Sequence, residues 1–140
     1  MKRIEVVAAI IIFNKEILCM QRNSSKYDYL SYKFEFPGGK VEPGESRVNA
    51  LKRELKEEMD LKVQTSEDNF FLTINHIYPD FEITMHSYIC FSRNKEFNRK
   101  EHVSHVWLEP SVLASLNWAP ADKPIVEKIM GGALDKWLQI

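Results

Sequence analysis

The chain has 140 residues, enough for one domain that buries a real core. Hydrophobic residues make up 44% of it and charged residues 28%, an ordinary composition for a soluble fold. The formal net charge of -1 gives no basic footprint for gripping DNA or RNA, which argues against a nucleic-acid polymer as partner but not against a small anion held through metal ions.

In chain order, residues 4–13 are nearly all β-branched or apolar, which predicts a strand covered on both faces. Asn14-Lys15 is a turn, and residues 16–22 predict a second strand pairing back on the first. Residues 23–32 are polar and tyrosine-rich without a period, the pattern of a mobile loop. Residues 33–36 are short and extended, and Pro37-Gly38-Gly39 predicts a sharp turn. A helix follows over residues 46–59 with Ser46 as its N-cap; Val48, Leu51, Leu55 and Met59 fall on one apolar stripe. Residues 70–78 and 83–92 predict a hairpin that turns at Pro79-Asp80. Residues 94–102 read as a charged loop, 103–108 as a short strand and 110–116 as a short helix. Residues 117–120 lead to a final helix starting near Asp122, with Pro124 at a tolerated first-turn position. Gly131-Gly132 breaks that helix, and residues 133–140 form a terminal turn. Mixed strands with two or three helices predict an α/β sandwich in a single domain over residues 1–140.

Cys19 and Cys90 lie in apolar runs and read as two buried thiols in a reducing compartment. The N-terminal apolar run is short and interrupted by Asn14, Lys15 and Glu16, with no small-residue cleavage site after it. No segment reaches transmembrane length, so a cytoplasmic location without membrane partners is expected.

The helix carries the chemistry. Glu54, Glu57 and Glu58 are neighbours at helical spacing, late in the helix, where its dipole disfavours negative charge. Alone, the run would read as a solvated helix face laced with lysine–glutamate pairs. A metal-loading site reads differently: cations neutralise the cluster, and carboxylate oxygens suit Mg²⁺, with Mn²⁺ as substitute, shared with substrate phosphates. Gly38 and Gly39 can present backbone groups to the same metal or to the phosphates.

The wider spacing decides between the two. Counted from Gly39, the stretch reads G-x5-E-x7-R-E-L-x-E-E-x-D-L. This closely resembles the Nudix box, G-x5-E-x7-R-E-U-x-E-E-x-G-U, with U a bulky aliphatic residue. Gly39, Glu45, Arg53, Glu54, Leu55, Glu57, Glu58 and Leu61 match; Asp60 departs, standing where the family has a helix-ending glycine. Asp60 is therefore expected to adopt a left-handed conformation at some cost in stability, without loss of a metal ligand. IEVVAAII, FEFPGGKVEPGES, EHVSHVW and APADKP extend the resemblance over nearly the whole chain, toward the MutT-type branch and its bacterial CTP pyrophosphohydrolase and 8-oxo-dGTP diphosphatase members.

That resemblance implies a Nudix-type α/β/α sandwich around a mixed central sheet. It also implies attack by a metal-activated water on a nucleoside triphosphate, giving monophosphate and pyrophosphate. By matched position, Glu54, Glu57 and Glu58 would bind the metals with the Gly38 carbonyl, and Glu101 would be a base or extra ligand. Arg53 would orient the glutamates, Gly39 would support the loop–helix geometry, and Glu45 would support that geometry or an outer metal shell. Arg22 and Lys40 are the natural phosphate contacts. Glu35, Phe36 and Asp122 are assigned to the substrate side. Asp122 either reads the base or caps the last helix, and Phe36 and Phe34 are as readily core residues. His76, His86, His102 and His105 show no metal-ligand spacing and receive no role, and Trp107, Trp118 and Trp137 read as packing residues. Other outcomes are a hydrolase of dinucleoside polyphosphates, nucleotide sugars or capped RNA, or a non-catalytic nucleotide-binding domain. A monomer or homodimer is expected.

Overall fold

A computed structural model describes residues 1–138. Seven strands form one mixed sheet: β1 (Lys2–Phe13), β2 (Glu16–Gln21), β3 (Phe34–Glu35), β4 (Gly38–Lys40), β5 (Phe70–Ile77), β6 (Phe81–Phe91) and β7 (Ser104–Leu108). Their order is β3-β2-β1-β6-β5, with β4 added to β1 and β7 to β2. β1 and β6 run parallel in long register, and the remaining pairs are antiparallel. Asn14 and Lys15 both take positive φ (51° and 65°), the two-residue turn whose twist suits a hairpin.

β1 has apolar side chains on both faces because both faces are covered. Val7, Ala9 and Ile11 face α1 (Arg47–Met59), packing with Val48, Leu51, Leu55 and Met59. Ala8, Ile10 and Ile12 face the opposite layer with Leu113, Trp118, Ile125, Ile129 and Leu134. The expected sandwich of helices on a mixed sheet is thus present. The opposite layer holds α2 (Lys123–Lys128), a wide helical turn over Ile129–Ala133 and α3 (Asp135–Leu138). Gly132 at φ 96° breaks the helix at the expected point; the end of the anticipated terminal turn, residues 139–140, lies outside the described residues.

Several elements differ from expectation. Gly38-Gly39 does not turn sharply but forms β4, and neither glycine takes positive φ. Their smallness serves close approach instead. A Cβ on Gly38 would lie 1.9 Å from the Val7 carbonyl oxygen, and one on Gly39 would lie 2.3 Å from the Glu54 carboxyl. Pro110–Ser115 winds as a 3-10 helix, and a 3-10 turn at Glu67–Asn69 was not anticipated. Loop 23–33 is held down: Tyr27 stacks on Tyr29, and Tyr29 on Tyr78.

Both cysteines are buried, and burial pushes their thiols up to about 12. Among the described residues no helix is long and apolar enough to cross a membrane.

Candidate active site

α1 begins at Ser46, whose Oγ accepts the Asn49 N–H at 3.1 Å, and ends at Asp60 in the left-handed region (φ 51°, ψ 32°), as the missing glycine required. Asp60 is more than a tolerated substitute. Its carboxylate accepts from Asn98 Nδ2 (2.7 Å) and Lys100 Nζ (3.2 Å), which hold it below the usual carboxylate range and tie the helix end to the 94–103 loop.

Arg53 is the hub of the helix. Its Nε donates to Glu45 Oε2 at 2.6 Å, and Nη2 to Glu45 Oε1 (2.9 Å) and the Lys40 carbonyl (3.0 Å). Nη1 donates to Glu54 Oε1 (3.0 Å) and Glu57 Oε2 (3.2 Å). The guanidinium fork therefore fixes one glutamate from the loop and two from the helix, and its own pKa rises chiefly through Glu45. Glu45 is correspondingly held low.

A cavity of about 610 Å³, the size of a small-molecule site, opens beside this helix. Its lining joins Gly38, Gly39, Lys40, Glu54, Glu58 and Glu101 at one end to Phe36, Tyr78 and Asp122 at the other, with Glu35, bonded to Arg22, acting on both the Glu58 and the Asp122 carboxyls from between them. Glu45, Arg53 and Glu57 lie outside this lining, and the Glu57 side chain is 60% exposed and bound to Arg53. Glu54 and Glu57 meet at Arg53 Nη1, and Glu54 also acts on the Glu58 carboxyl. Among the described residues no three acidic or histidine side chains close into a cage, since Arg53 draws Glu54 and Glu57 to itself.

The donor chemistry nonetheless fits a divalent cation. Glu58 is half-buried, and burial, then Glu101 and Glu54, push its carboxyl from 4.5 up to about 8. Like charges crowded around oxygen donors are relieved when a hard cation enters. Glu54, Glu57, Glu58, Glu101 and the Gly38 carbonyl could hold one.

In the middle of the cavity, Arg22 Nη1 donates to Glu35 Oε1 at 2.9 Å, while Arg22 Nε is buried without a hydrogen-bond partner. Such an unmatched donor favours an incoming anionic oxygen. His102, which spacing left without a role, puts Nε2 2.8 Å from Glu35 Oε2. Only its adjacency to Glu101 could have flagged it.

At the far end, Asp122 is 5% exposed and its Oδ1 accepts the Phe36 N–H at 3.1 Å. It makes no capping bond to α2, so the capping reading is not carried. Burial, then Glu35, raises its carboxyl well above the usual range, which favours a proton on it. Phe36 is 3% exposed and stacks on Trp118 with ring centroids 4.7 Å apart; its ring is core and its backbone amide serves the cavity.

A model of the NUDIX domain matches residues 2–129. A CTP pyrophosphohydrolase of Escherichia coli is 36% identical over 93% of this chain and 93% of its own length. An 8-oxo-dGTP diphosphatase of the same organism is 30% identical over 92% and 98%. A solved structure of a MutT protein of the Nudix hydrolase family from Staphylococcus aureus superposes with a TM-score of 0.71 at 40% identity, covering 94% of this chain and 98% of that one. The box around α1, the mixed-sheet sandwich and these likenesses lead to one conclusion: the chain belongs to the Nudix hydrolase family.

Proposed function

We propose that this protein is a Mg²⁺-dependent nucleoside triphosphate pyrophosphohydrolase, releasing a nucleoside monophosphate and pyrophosphate. Nudix hydrolases use a divalent metal, and Mg²⁺ suits the all-oxygen donor set, with Mn²⁺ as substitute. The carrying observation is one cavity that joins clustered carboxylates at one end to the buried Asp122 at the other. It offers separate places for a charged phosphate chain and a largely apolar base.

Glu54, Glu57, Glu58, Glu101 and the Gly38 carbonyl would hold the cation, which neutralises phosphate charge, orients the leaving group and lowers the pKa of bound water. Arg53 fixes the Glu54 and Glu57 carboxylates, supported by Glu45 and by the room that Gly39 leaves. Lys40 and Arg22 meet phosphate oxygens; Arg22 Nε brings an unspent donor to that role. Glu35 steadies Arg22, and the Phe36 amide steadies Asp122, which faces the base edge as a carboxyl able to donate. The named relatives, a CTP pyrophosphohydrolase and an 8-oxo-dGTP diphosphatase, favour a free nucleotide, normal or modified in its base, over a dinucleoside polyphosphate or nucleotide sugar. The reading further takes residues 1–140 as one cytoplasmic domain acting as a monomer or homodimer.

The test is a Mg²⁺-dependent assay on normal, oxidised and methylated nucleoside triphosphates, with pyrophosphate and phosphate measured separately. Pyrophosphate with monophosphate is expected. Release of phosphate alone would contradict the proposed bond cleavage.

A further inference from the structure

Asp122 sits on a tight turn whose position has to be set by something. The turn itself supplies one bond, Asp122 N–H to the Ala119 carbonyl at 2.9 Å. Its upstream side is anchored to β3: the Phe34 N–H donates to the Asn117 carbonyl, and the Ala119 N–H to the Phe34 carbonyl, both at 2.8 Å. Between these anchors and Asp122 lies Ala121. Its N–H donates to the hydroxyl of Tyr78 at 3.0 Å, a buried bond across 43 residues of sequence.

Tyr78 is 4% exposed and stands at the end of the β5–β6 hairpin, its ring packed on three sides. Tyr29 stacks on it at 5.0 Å, Phe81 tilts against it at 5.1 Å, and His76 meets it edge-on at 4.4 Å. Tyr29 is latched in turn, its hydroxyl donating to Asp80 Oδ2 at 2.7 Å. Loop 23–33, the hairpin turn and the Asp122 turn are thus joined through one phenol. A ring wedged this way has little freedom, so its hydroxyl is a fixed acceptor at the base end of the cavity.

We propose that Tyr78 is a positioning residue for base selection: through the Ala121 amide its hydroxyl holds the Asp122 carboxyl in the place where it meets the nucleobase. The proposal rests on the reading of Asp122 as the base contact. Tyr29 and Asp80 act one step further out by steadying the Tyr78 ring. Its hydroxyl bonds the Asp122 turn, so its influence is on choice among bases.

The test compares wild type, Tyr78→Phe, Asp122→Ala and the double variant in Mg²⁺-dependent steady-state kinetics on ATP, GTP, CTP and UTP. Removing one oxygen leaves the ring stacks in place. Tyr78→Phe is expected to lower the ratio of kcat/KM between the best and worst base about fivefold, the size of one neutral hydrogen bond, chiefly through KM for the best base. Added to Asp122→Ala, it is expected to change the ratio no further, and Tyr29→Phe is expected to move it in the same direction by less. In parallel, amide exchange by NMR is expected to speed at Ala121 in Tyr78→Phe. An unchanged ratio, an additive double variant or unchanged Ala121 exchange would overturn the proposal while leaving the nucleotide reading intact. A wild type that hydrolyses none of the four, nor any modified nucleotide, overturns both.

Discussion

Charge organises one end of the cavity and neutral packing the other. Around α1, one guanidinium holds Glu45, Glu54 and Glu57, and a fourth carboxyl, Glu58, is pushed up to about 8 by burial and its neighbours. Around Asp122, the position is set by three backbone amides (Phe36, Ala121 and Asp122 itself) and by rings stacked behind Tyr78. The first end comes mostly from one stretch of sequence, residues 38–58, with Glu101 added from farther along the chain. The second is long-range and already seated. On the proposed reading, the difference separates what the site does to phosphates from which nucleotide it takes.

The sharpest way to break this division is at the carboxylates. Glu54→Gln and Glu57→Gln are each expected to cut kcat on the order of a hundred- to a thousandfold, the scale of losing one electrostatic contribution to the transition state. Far-UV circular dichroism should stay native. Turnover near wild type with Mg²⁺ would remove these residues from the metal set. Next in size is Arg53→Ala, which frees Glu45, Glu54 and Glu57 together. A loss of about 10- to 100-fold in activity or metal affinity is expected, as for other groups that orient ligands. Arg53→Lys should recover little, because an ammonium cannot reproduce the fork. Metal affinity by calorimetry checks both.

Most of the charged end was legible in the sequence, because a helix places its own residues. With residues 46–59 helical, the adjacency of Glu54, Glu57 and Glu58 follows from the period, and the match from Gly39 to Leu61 supplies the roles proposed for them. Two features there were not legible. The Gly38-Gly39 pair reads as a turn by composition, but strand pairing with Val7 and Ala8 absorbed it, and only the tertiary contact shows why no Cβ fits. The bonding of Glu54 and Glu57 to Arg53 is the other, since it depends on side-chain directions that spacing does not carry. The neutral end was legible only as a list of residues. Nothing around Tyr78 or His102 announces a partner, because each partner lies far along the chain: Ala121 for the hydroxyl, Glu35 for the imidazole. Tyr27 and Tyr29, expected in a mobile loop over residues 23–32, form a stack against the hairpin.

Smaller effects sharpen the comparison. With Glu58 near 8 in the folded protein against an ordinary 4.5, the folded state retains a proton that the unfolded chain has already released. Stability of the metal-free protein is therefore expected to fall as pH rises from about 4.5 to about 8 and then to level. Thermal unfolding in a chelator should show this decline, Glu58→Gln should flatten it, and saturating Mg²⁺ should shrink it by favouring the ionised form. A decline unaffected by Glu58→Gln would assign it to other groups. Smallest of all is Asp60→Gly. Glycine relieves the left-handed backbone by about 1 kcal/mol, while the bonds from Asn98 and Lys100 are lost at a similar cost. A net change within about 1 kcal/mol in urea unfolding is expected, with kcat unaltered.

The division between the two ends is tested most directly by Asp122→Ala, measured as kcat and KM on a panel of nucleoside triphosphates at saturating Mg²⁺. The separation of roles predicts that preference among bases collapses while maximal rates stay close to wild type. An equal loss of kcat for every base would contradict it.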